Sequence, residues 1–423
     1  MNHCRNPFLP VFFLLSFISL PLFSQSADWP RFYGKDVTNT SHETGLLKSW
    51  PQGGPALDWK AQGLGRGYAN VVISGDRLFT AGTIDRQTFV QAFDLEGKAL
   101  WKTVNMATPT AKIPPQHRQK EFYFGAKGTP TVEGNTVYHL NGFGRLAAFN
   151  VANGKEKWSR DILKAFEGEP SFFGFSESVL IDGQKLYVQP GGKKGFIVAL
   201  NKVTGKTLWT SMVLKDSVAS YVTPVLATLG GMKQLVTMTP TAAVGLDPEN
   251  GKLLWSFAHV NRDMENIETP VVFDDHVVVS SAYGQKMECR HIVKSASGWQ
   301  AEPVWTNRKA DNLHGGLIYR KGHLYGAACR GGRWFCIDAK TGLEKYRVRG
   351  VGLGELTYAD GHLYCLGHNG GLALVPATPE GFTPAGSVMH VDDGQGKWFN
   401  HPVVCGGRLY IRHGDLLYAY QVK

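Results

Sequence analysis

The stretch that decides the fold is ALNKVTGKTLWTS, residues 199–211. It has the form of a strand, a tight turn and a second strand. Asn201 can hydrogen-bond the backbone ahead of it, and Gly205 supplies the positive φ that other residues adopt only at a cost. Trp209 follows that glycine closely, and a fixed distance from a turn determines the face on which a strand residue lies. The stretch therefore predicts an antiparallel hairpin with a tryptophan on one face.

The same hairpin recurs along the chain. Near-copies begin at Ala92 (AFDLEGKALWKT), Ala148 (AFNVANGKEKWSR) and Gly245 (GLDPENGKLLWSF), and weaker copies end on Trp305 and Tyr346. A second pattern, an apolar pair followed by a turn and a strand that ends in a glycine-rich loop, occurs eight times. Its spacing of about 40 to 60 residues is typical of a four-stranded propeller blade. The sequence thus predicts an all-β fold, an eight-bladed β-propeller of four-stranded antiparallel blades.

Aromatic residues that close the hairpins are predicted to wedge between neighbouring blades. They are Trp59, Trp101, Trp158, Trp209, Trp255, Trp305 and Tyr346. The last repeat, which ends in DLLYAYQVK, has only three strands, whereas the segment GGPALDWKA has a strand without a blade of its own. We expect residues 56–61 to supply the missing outer strand and so to close the ring without an open edge. The alternative is that this segment is a linker and the last blade is incomplete.

The first 26 residues resemble a secretory signal peptide. Arg5 precedes the apolar run FLPVFFLLSFISLPLF, and small residues follow before Ala27. A retained membrane anchor is the alternative, although the run is interrupted by proline and short for a span of about 20 residues. We expect an exported periplasmic or extracellular protein with no transmembrane segment after cleavage, an extended segment over residues 27–55 and a single propeller over residues 56–423.

Charge and cysteine content narrow the choice of partners. The formal net charge is +10, but the basic residues are dispersed in runs no longer than two. This dispersal, together with export, argues against nucleic acid as a partner.

Five cysteines lie beyond the leader, so at least one has no disulfide partner within the chain. Cys329 and Cys336 flank the turn RGGRW, and a hairpin in which they face each other would allow one disulfide between them. No CxxC or paired Cys/His spacing predicts a metal site. We expect a monomer.

The repeated A-x-[DN]-x-x-[TN]-G-K-x-x-W hairpin resembles that of the pyrroloquinoline-quinone-like (PQQ-like) eight-bladed propeller family. This family includes quinoprotein alcohol dehydrogenases and the non-enzymatic outer-membrane assembly lipoprotein BamB. The resemblance runs from about Asp28 to Lys423, and DWPRFYG looks like the leader of many secreted PQQ-like repeat proteins. For the dehydrogenases the resemblance implies PQQ stacked in the channel, a calcium-type ion held by acidic and amide side chains, an aspartate base and a covering pair of adjacent cysteines. This sequence has no adjacent cysteine pair.

Residues just before each inner strand are expected to ring the central channel. Among them and the nearby loops, the candidate catalytic residues are Glu177, Glu268, His314, Glu355 and His401, and the candidate metal ligands are Glu177 and Glu268. The candidate cofactor-binding residues are Arg66, Tyr68, Lys127, Tyr221, Arg330, Arg333 and Asn400. Close carboxylates can hold a hard cation, and a nearby histidine can act as a base. The alternative is a water-filled channel mouth satisfied by salt bridges.

Loops on the same face suggest a binding surface. The two longest connections, residues 102–128 and 160–177, carry the aromatics Phe122, Tyr123, Phe124, Phe172, Phe173 and Phe175, which either contact a ligand or pack the loops onto the propeller. Loops that join the second and third strands carry Arg86, Arg145, Lys193, Lys194, Arg330, Arg333 and Arg412. These cations favour an anionic ligand such as PQQ or an acidic glycan; the alternative is solvated surface charge.

The sequence favours a binding or accessory protein that recognises a protein partner or an anionic small-molecule or glycan ligand on its loop-rich face. A PQQ-dependent alcohol dehydrogenase, with PQQ and calcium as cofactors, is the first alternative. A lyase or hydrolase acting on acidic polysaccharide is the second. The repeated motif bears on the fold and not on the chemistry, because one fold serves many functions.

Overall fold

The computed structural model describes residues 1, 28–106, 126–212 and 218–423. Eight sheets follow one another in chain order, each with four antiparallel strands and one with a fifth, parallel strand at its inner edge, which confirms the predicted eight-bladed propeller. One helical turn, α1 (Ile162–Phe166), interrupts this pattern. Within the described ranges, no helix has the length and apolar character needed to cross a membrane.

Blades one to four each run from the innermost to the outermost strand in chain order. Blade one holds β3 (Val72–Ser74), β4 (Arg77–Ile84), β5 (Gln87–Asp94) and β6 (Ala99–Val104). Blade two holds β7 (Thr131–Glu133), β8 (Thr136–Leu140), β9 (Arg145–Asn150) and β10 (Glu156–Asp161). Blade three holds β11 (Leu180–Asp182), β12 (Lys185–Val188), β13 (Val198–Asn201) and β14 (Thr207–Thr210). Blade four holds β15 (Val225–Leu229), β16 (Met232–Met238), β17 (Ala242–Leu246) and β18 (Leu253–Ala258).

Blades five to eight complete the ring, and the last two recruit strands from the N-terminal region. Blade five holds β19 (Val271–Phe273), β20 (His276–Val279), β21 (Met287–Ser295) and β22 (Gly298–Asn307). Blade six holds β23 (Ile318–Arg320), β24 (His323–Ala328), β25 (Arg333–Asp338) and β26 (Glu344–Val348). Blade seven holds β27 (Gly354–Ala359), β28 (His362–Gly367), β29 (Gly371–Pro376) and β30 (Met389–His390), with β1 (Thr40–Ser41) beside β27. Blade eight holds β31 (Val403–Cys405), β32 (Arg408–His413), β33 (Leu416–Gln421) and β2 (Leu57–Gln62).

Ring closure is made by β2, which pairs antiparallel with β33 as its outer neighbour. Trp59 on β2 lies opposite Ala419, and Arg408 Nε donates to Asp58 Oδ2 at 2.6 Å. The prediction that residues 56–61 complete the last blade is confirmed. Because the first and last parts of the propeller share one sheet, that blade has no missing strand.

The hydrophobic core is a ring of clusters between adjacent blades. Val72 and Phe79 of blade one, for example, pack in one cluster with Val137 and Phe149 of blade two. Comparable clusters join each later pair of blades, and the last joins blade eight to blade one. Each blade therefore buries its two faces against two neighbours, which is how repeats that cannot bury a core alone become stable.

The hairpin tryptophans lie at these boundaries. Trp209 Nε1 donates to the carbonyl oxygen of Pro248, in the turn of the next blade, at 3.1 Å. A Cβ on Gly251 in that turn would lie 2.6 Å from the Trp209 ring, so the turn glycine leaves room for the indole. The same bond to the next turn is made by the residues Trp59, Trp101, Trp158 and Trp305. Tyr346 packs against the cluster between blades six and seven.

Trp255 departs from the predicted docking pattern. Its Nε1 donates to Gln234 Oε1 in its own blade at 2.7 Å, and its side chain is buried. Its cross-strand partner is Gly245, where a Cβ would lie 2.2 Å from the indole. Four of the other hairpin tryptophans have alanine there, as in Ala199 opposite Trp209, and Trp305 has Cys289. The alanine-to-glycine change in the repeat therefore opens the space into which Trp255 folds back.

The N-terminal residues 28–41, which we call the channel segment, run through the centre of the propeller. Trp29 exchanges two backbone hydrogen bonds with Ile73 of blade one, and the carbonyl of Pro30 accepts one from blade two. Thr40 and Ser41 then run parallel to β27 of blade seven. Because it touches inner strands on several sides of the ring, the channel segment crosses the channel instead of lying outside the propeller.

The disulfide between Cys329 and Cys336 is not formed, and none is present among the described cysteines. Cys336 lies within β25 opposite Tyr325, whereas Cys329 lies in the preceding turn. The expectation that they face each other was wrong because the two residues occupy different positions of the hairpin and do not form a cross-strand pair. Burial raises the pKa of the Cys336 thiol to about 12, which makes it a poor nucleophile.

Candidate functional site

Two kinds of loop meet on one face of the propeller. His314 precedes β23, the inner strand of blade six, while His368 lies in the turn that joins β28 and β29 of blade seven. Their ring centroids are 5.3 Å apart, so loops leading into an inner strand and loops joining the second and third strands lie on the same side. We call this side the loop-rich face.

The channel mouth on this face holds a compact group of His314, Glu355 and His368, which we call the mouth cluster. Glu355 Oε1 lies 2.7 Å from Nδ1 of His314 and 2.9 Å from Nε2 of His368. One atom from each of the three side chains falls within 4.8 Å of the other two. Residues from two blades and from both kinds of loop therefore converge on one carboxylate oxygen.

Two glycines allow this convergence. Gly315 follows His314, and a Cβ on it would lie 2.2 Å from the carbonyl oxygen of Gly354. A Cβ on Gly354, which precedes Glu355, would lie 1.9 Å from the carbonyl oxygen of Leu366. The loop before blade six can thus lie directly on the backbone of Gly354, because Gly315 carries no side chain, and Gly354 in turn allows β27 to approach β28 closely.

Glu355 is the buried member of the mouth cluster. Its side chain is 0% exposed, compared with 15% for His314 and 21% for His368, so the two histidines separate the carboxylate from solvent. Burial works against the charged carboxylate, but attraction to His368 and His314 outweighs it and lowers the pKa of Glu355 to about 2. The mouth therefore contains a fixed negative charge beneath two imidazole rings.

Aromatic rings cover one side of the mouth cluster. The Phe399 ring lies 4.1 Å from the His314 ring and 5.2 Å from the His368 ring, measured between centroids. Tyr68 lies 5.1 Å from Phe399 and continues the aromatic surface toward blade one. This apolar neighbourhood limits the access of water to the histidine nitrogens and strengthens electrostatic interactions in the cluster.

Below the cluster, the channel segment fills the channel. His401 Nε2 lies 2.9 Å from the carbonyl oxygen of His314, and its ring packs edge-on against Tyr33 at 4.9 Å. The Tyr33 hydroxyl donates to Glu268 Oε1 at 3.3 Å. Burial lowers the pKa of His401 to about 4, so this ring is neutral near pH 7. Tyr33 thus lies beside Glu268 and His401, two of the residues that the sequence predicts around the central channel.

The two candidate metal ligands, Glu177 and Glu268, are each held by protein groups. Glu177 accepts hydrogen bonds from the backbone and side-chain nitrogens of Gln189, at 2.7 and 3.0 Å. Glu268 accepts from Tyr33 and from the backbone nitrogen of Gly316, the latter at 3.0 Å. Burial raises the pKa of each carboxyl to about 8. The structure places neither of them in the mouth cluster.

Lys127 and Tyr221 hold the long connection 160–177 in place. Lys127 Nζ donates to the carbonyl oxygen of Phe173 at 2.9 Å, and the Phe173 backbone nitrogen donates to the Tyr221 hydroxyl at 3.0 Å. Burial lowers the pKa of Lys127 to about 8. Phe175 is fully buried, whereas Phe172 is exposed. Most of this connection therefore packs onto the propeller, and Phe122, Tyr123 and Phe124 lie outside the described residues.

Asn400 and Arg66, two further candidate cofactor-binding residues, have different environments. Asn400 is buried, and its Nδ2 donates to the carbonyl oxygen of Ala69 at 3.0 Å. Its Oδ1 has no hydrogen-bond partner in the part of the chain that the structure describes. Arg66 is exposed at the rim of the mouth. Because its amide bonds to Ala69, Asn400 contributes to the packing between blades eight and one.

The predicted basic loops divide into three groups. Arg86, Lys193, Arg330 and Arg333 are exposed and have no carboxylate partner among the described residues. Arg145 is paired with Glu156 at 2.7 Å, and Lys194 with Glu167 at 3.0 Å.

Arg412 forms the third group and corrects the sequence-based prediction. It is 2% exposed and donates from Nη1 to the carbonyl oxygen of Ala69 at 2.7 Å and to Thr80 Oγ1 at 2.6 Å. Burial lowers the pKa of its guanidinium to about 10. Arg412 joins blade eight to blade one and is not available to an anion, because its donors are used by buried acceptors.

Sequence reasoning missed His368, Phe399 and Tyr33. His368 lies in the stretch YCLGHNG, which was noted only as a strand ending in a glycine-rich loop. A histidine in such a loop, on the same face as the candidate ring residues, was the available signal. Nothing in the sequence indicated Tyr33, because its position depends on the path of the channel segment through the ring.

Comparison with known proteins agrees with this architecture. A family model described as "Outer membrane protein assembly factor BamB" matches residues 86–348, which is more than half of the chain. The chain belongs to this PQQ-like propeller family. Within the PQQ-like family, the outer membrane protein assembly factor BamB of Kangiella koreensis is 28% identical over 157 residues, or 37% of this chain and 35% of that protein.

Relatives of the dehydrogenase type are also similar. The quinoprotein alcohol dehydrogenase PedH of Pseudomonas putida is 25% identical over 138 residues, or 31% of this chain and 22% of that protein. The matched regions thus span about a third or less of these curated relatives. The quinohemoprotein alcohol dehydrogenase of Comamonas testosteroni superposes with a TM-score of 0.62 at 13% identity, covering 93% of this chain and 80% of that one. At this identity the superposition shows the fold alone.

The residues of this PQQ-like propeller do not fit the cofactor site that the dehydrogenase resemblance implies. Tyr33 lies in the channel beside Glu268 and His401. The oxygens of Glu177 and Glu268 already accept hydrogen bonds from protein groups. No two cysteines are adjacent in the sequence, and those described form no disulfide. The described part of the chain therefore lacks both the free carboxylate ligands and the paired cysteines of such a site.

Proposed function

We propose that this protein is a non-catalytic binding propeller, exported by its N-terminal leader, that recognises an anionic ligand on its loop-rich face. The observation that carries this proposal is the set of exposed cations on that face. Arg86, Lys193, Arg330 and Arg333 come from three different blades and have no carboxylate partner among the described residues. Unpaired cations from several loops produce a positive potential that attracts anions.

The closed channel supports binding at the surface. The channel segment crosses the inner strands, and Tyr33 occupies the space beside Glu268. A ligand that approaches the loop-rich face would therefore meet the mouth cluster, the rings of Tyr68 and Phe399, and the exposed arginines. Acidic glycans and acidic protein segments share the chemistry that this surface would recognise, namely repeated carboxylate or sulfate groups.

Charge reversal on the loop-rich face tests the proposal. The probe is heparin as a model acidic glycan, immobilised and titrated with the purified protein at physiological salt. The double variant Arg330→Glu/Arg333→Glu should bind about tenfold more weakly than the wild type, since electrostatic attraction contributes much of the affinity for a polyanion. The matched control is Lys206→Glu/Lys252→Glu, which reverses the same charge at exposed turns of the outer rim.

The control separates a specific site from overall charge. Equal loss of binding in both double variants would mean that net charge alone causes the binding, and no binding by the wild type would contradict the proposal directly. A calorimetric titration with PQQ, with and without calcium, completes the test. We expect no binding heat; calcium-dependent binding in the micromolar range or tighter would instead support a quinoprotein dehydrogenase.

A further inference from the structure

The mouth cluster has the composition of a transition-metal site. It offers two imidazole nitrogens and one carboxylate oxygen, a set that suits zinc and similar divalent ions better than calcium or magnesium, which prefer oxygen ligands. Three protein ligands leave a coordination position for water or for a ligand. The cluster contains neither Glu177 nor Glu268, the two carboxylates that the sequence suggested as metal ligands.

Hydrogen bonding within the protein accounts for only one contact of the cluster, the 2.9 Å bond between His368 Nε2 and Glu355 Oε1. Nδ1 of His314 lies 2.7 Å from Glu355 Oε1, yet neither ring nitrogen of His314 makes a hydrogen bond of acceptable geometry among the described residues. The second carboxylate oxygen, Oε2 of Glu355, is also buried without a hydrogen-bond partner there. A buried polar atom without a partner is costly, so Oε2 and the nitrogens of His314 favour a further group that would bind them.

The spacing of the three side chains is close to that required by a metal. Two ligands bound at about 2.0–2.1 Å to a tetrahedral zinc ion lie about 3.3 Å apart. The carboxylate oxygen is now 2.7 and 2.9 Å from the two histidine nitrogens, and all three atoms lie within 4.8 Å. To form a coordination shell, the carboxylate oxygen would move away from the two nitrogens by about 0.4–0.6 Å, and the widest pair of atoms would close by up to about 1.5 Å.

The surroundings favour a bound ion that solvent can still reach. His314 and His368 are 15% and 21% exposed, so an ion can enter from the loop-rich face. Phe399 packs on both rings and limits their movement, as the apolar shell of a metal site does. Gly315 and Gly354 hold the two backbones in contact beneath the cluster.

We propose that His314, Glu355 and His368 form a binding site for one divalent transition-metal ion at the channel mouth. This proposal goes beyond the proposed anion binding and does not depend on it. The protein residues supply a neutral imidazole pair and one negative charge, so the bound ion keeps a net positive charge on the loop-rich face. An oxygen of an approaching anion would be attracted to its open position.

Calorimetric titration of zinc into the metal-free protein, without a polyhistidine tag, tests the site. We expect one zinc ion per chain for the wild type. His368→Ala and Glu355→Gln should each weaken binding by about tenfold or more, because the first removes a ligand and the second replaces a charged carboxylate by a weaker, neutral amide oxygen. Cobalt, titrated in the same way, should give a strong visible absorption from four-coordinate cobalt in the wild type and lose it in both variants.

The matched control is His42→Ala. His42 also lies 2.6 Å from a carboxylate, that of Asp36, but the pair is exposed and has no third ligand among the residues that the structure describes. This variant should bind zinc as the wild type does. His368→Asn, which keeps a polar side chain in the exposed turn, repeats the test if the alanine variant melts at a lower temperature than the wild type. A wild type that binds no zinc, or a His368 variant that binds as tightly as the wild type, would overturn the proposal.

Discussion

At the scale of single residues, the contact between a hairpin tryptophan and a turn glycine joins one blade to the next at five boundaries, those of Trp59, Trp101, Trp158, Trp209 and Trp305. The Trp209 indole lies on Gly251 and donates to Pro248 in the following turn. The repeated sequence therefore encodes two partners at once, since its tryptophan packs on the next repeat and its glycine receives the tryptophan of the previous one. Where Gly245 replaces alanine, the neighbouring Trp255 turns into its own blade instead.

Replacing Trp209 by alanine should lower the free energy of unfolding by about 3 kcal/mol, because a partly buried indole and its hydrogen bond are lost and a cavity remains. Denaturant unfolding followed by circular dichroism measures the change. Leu208→Ala is the control, since this neighbour is 48% exposed and should alter the free energy of unfolding by no more than about 0.5 kcal/mol. Equal stability of the two variants would contradict the docking role of Trp209.

At the scale of elements, the channel segment connects the inner strands of several blades. Its Tyr33 reaches Glu268, and its β1 extends the inner edge of blade seven. An inner strand would otherwise present unpaired backbone groups to the channel, and β1 satisfies some of them. The segment thus stabilises the ring from inside and at the same time closes the channel to a ligand.

The buried carboxyl of Glu268 should make stability depend on pH. Its pKa is about 8 in the folded protein because of burial, compared with 4.5 for an ordinary glutamate. Between these values the unfolded chain releases a proton that the folded protein retains, so stability is complete below pH 4.5 and falls as pH rises toward 8. The decline is at most about 1.4 kcal/mol per pH unit.

Glu268→Gln cannot ionise and should show a smaller decline over this range than the wild type. Thermal unfolding at several pH values measures it, and the difference between the two proteins isolates Glu268 from other buried groups such as Glu177. Glu96→Gln, at an exposed turn, serves as the control and should follow the wild type. Parallel curves for Glu268→Gln and the wild type would show that the folded carboxyl ionises normally.

At the scale of the whole molecule, the ring is closed by residues far apart in the chain. β2 pairs with β33, and the Asp58–Arg408 ion pair lies at the same boundary. Without β2, the outer edge of β33 would present free backbone donors and acceptors. Such an edge can pair with another chain, which favours aggregation.

Removal of residues 1–62 should therefore convert the protein into a species that self-associates and unfolds at a lower temperature. Light scattering and size-exclusion chromatography report the association. A chain that lacks only residues 1–27 is the control, because it retains both the channel segment and β2. If the shorter chain stayed monomeric with the stability of this control, closure by β2 would not contribute to stability.

Local patterns allowed much of the fold to be predicted from the sequence. Turn residues and the regular position of Trp209 and its equivalents specify hairpins, and the period of the repeats specifies blades and their number. Ring closure was also predictable, because the strand before Gly63 lacked a blade and the last blade lacked a strand. These features depend on contacts within a repeat or between successive repeats.

The site could be predicted only in part. His314, Glu355 and His401 were expected at the mouth, because they precede inner strands. Their partners His368 and Tyr33 were not predicted there. His368 comes from another kind of loop, and Tyr33 reaches the channel from the N-terminal segment. Arg412, expected on the surface, is buried because it packs against blade one, which adjoins its own blade in the closed ring.

By itself, then, the sequence determined the hairpins, the eight blades and the closure of the ring, because each depends on turn chemistry and periodicity that act locally. Only the tertiary structure decided that the channel is filled by residues 28–41 and that His314, Glu355 and His368 converge. The physical reason is that these contacts join segments distant in the chain. Their formation depends on the close approach of backbones at Gly315 and Gly354, which no local pattern encodes.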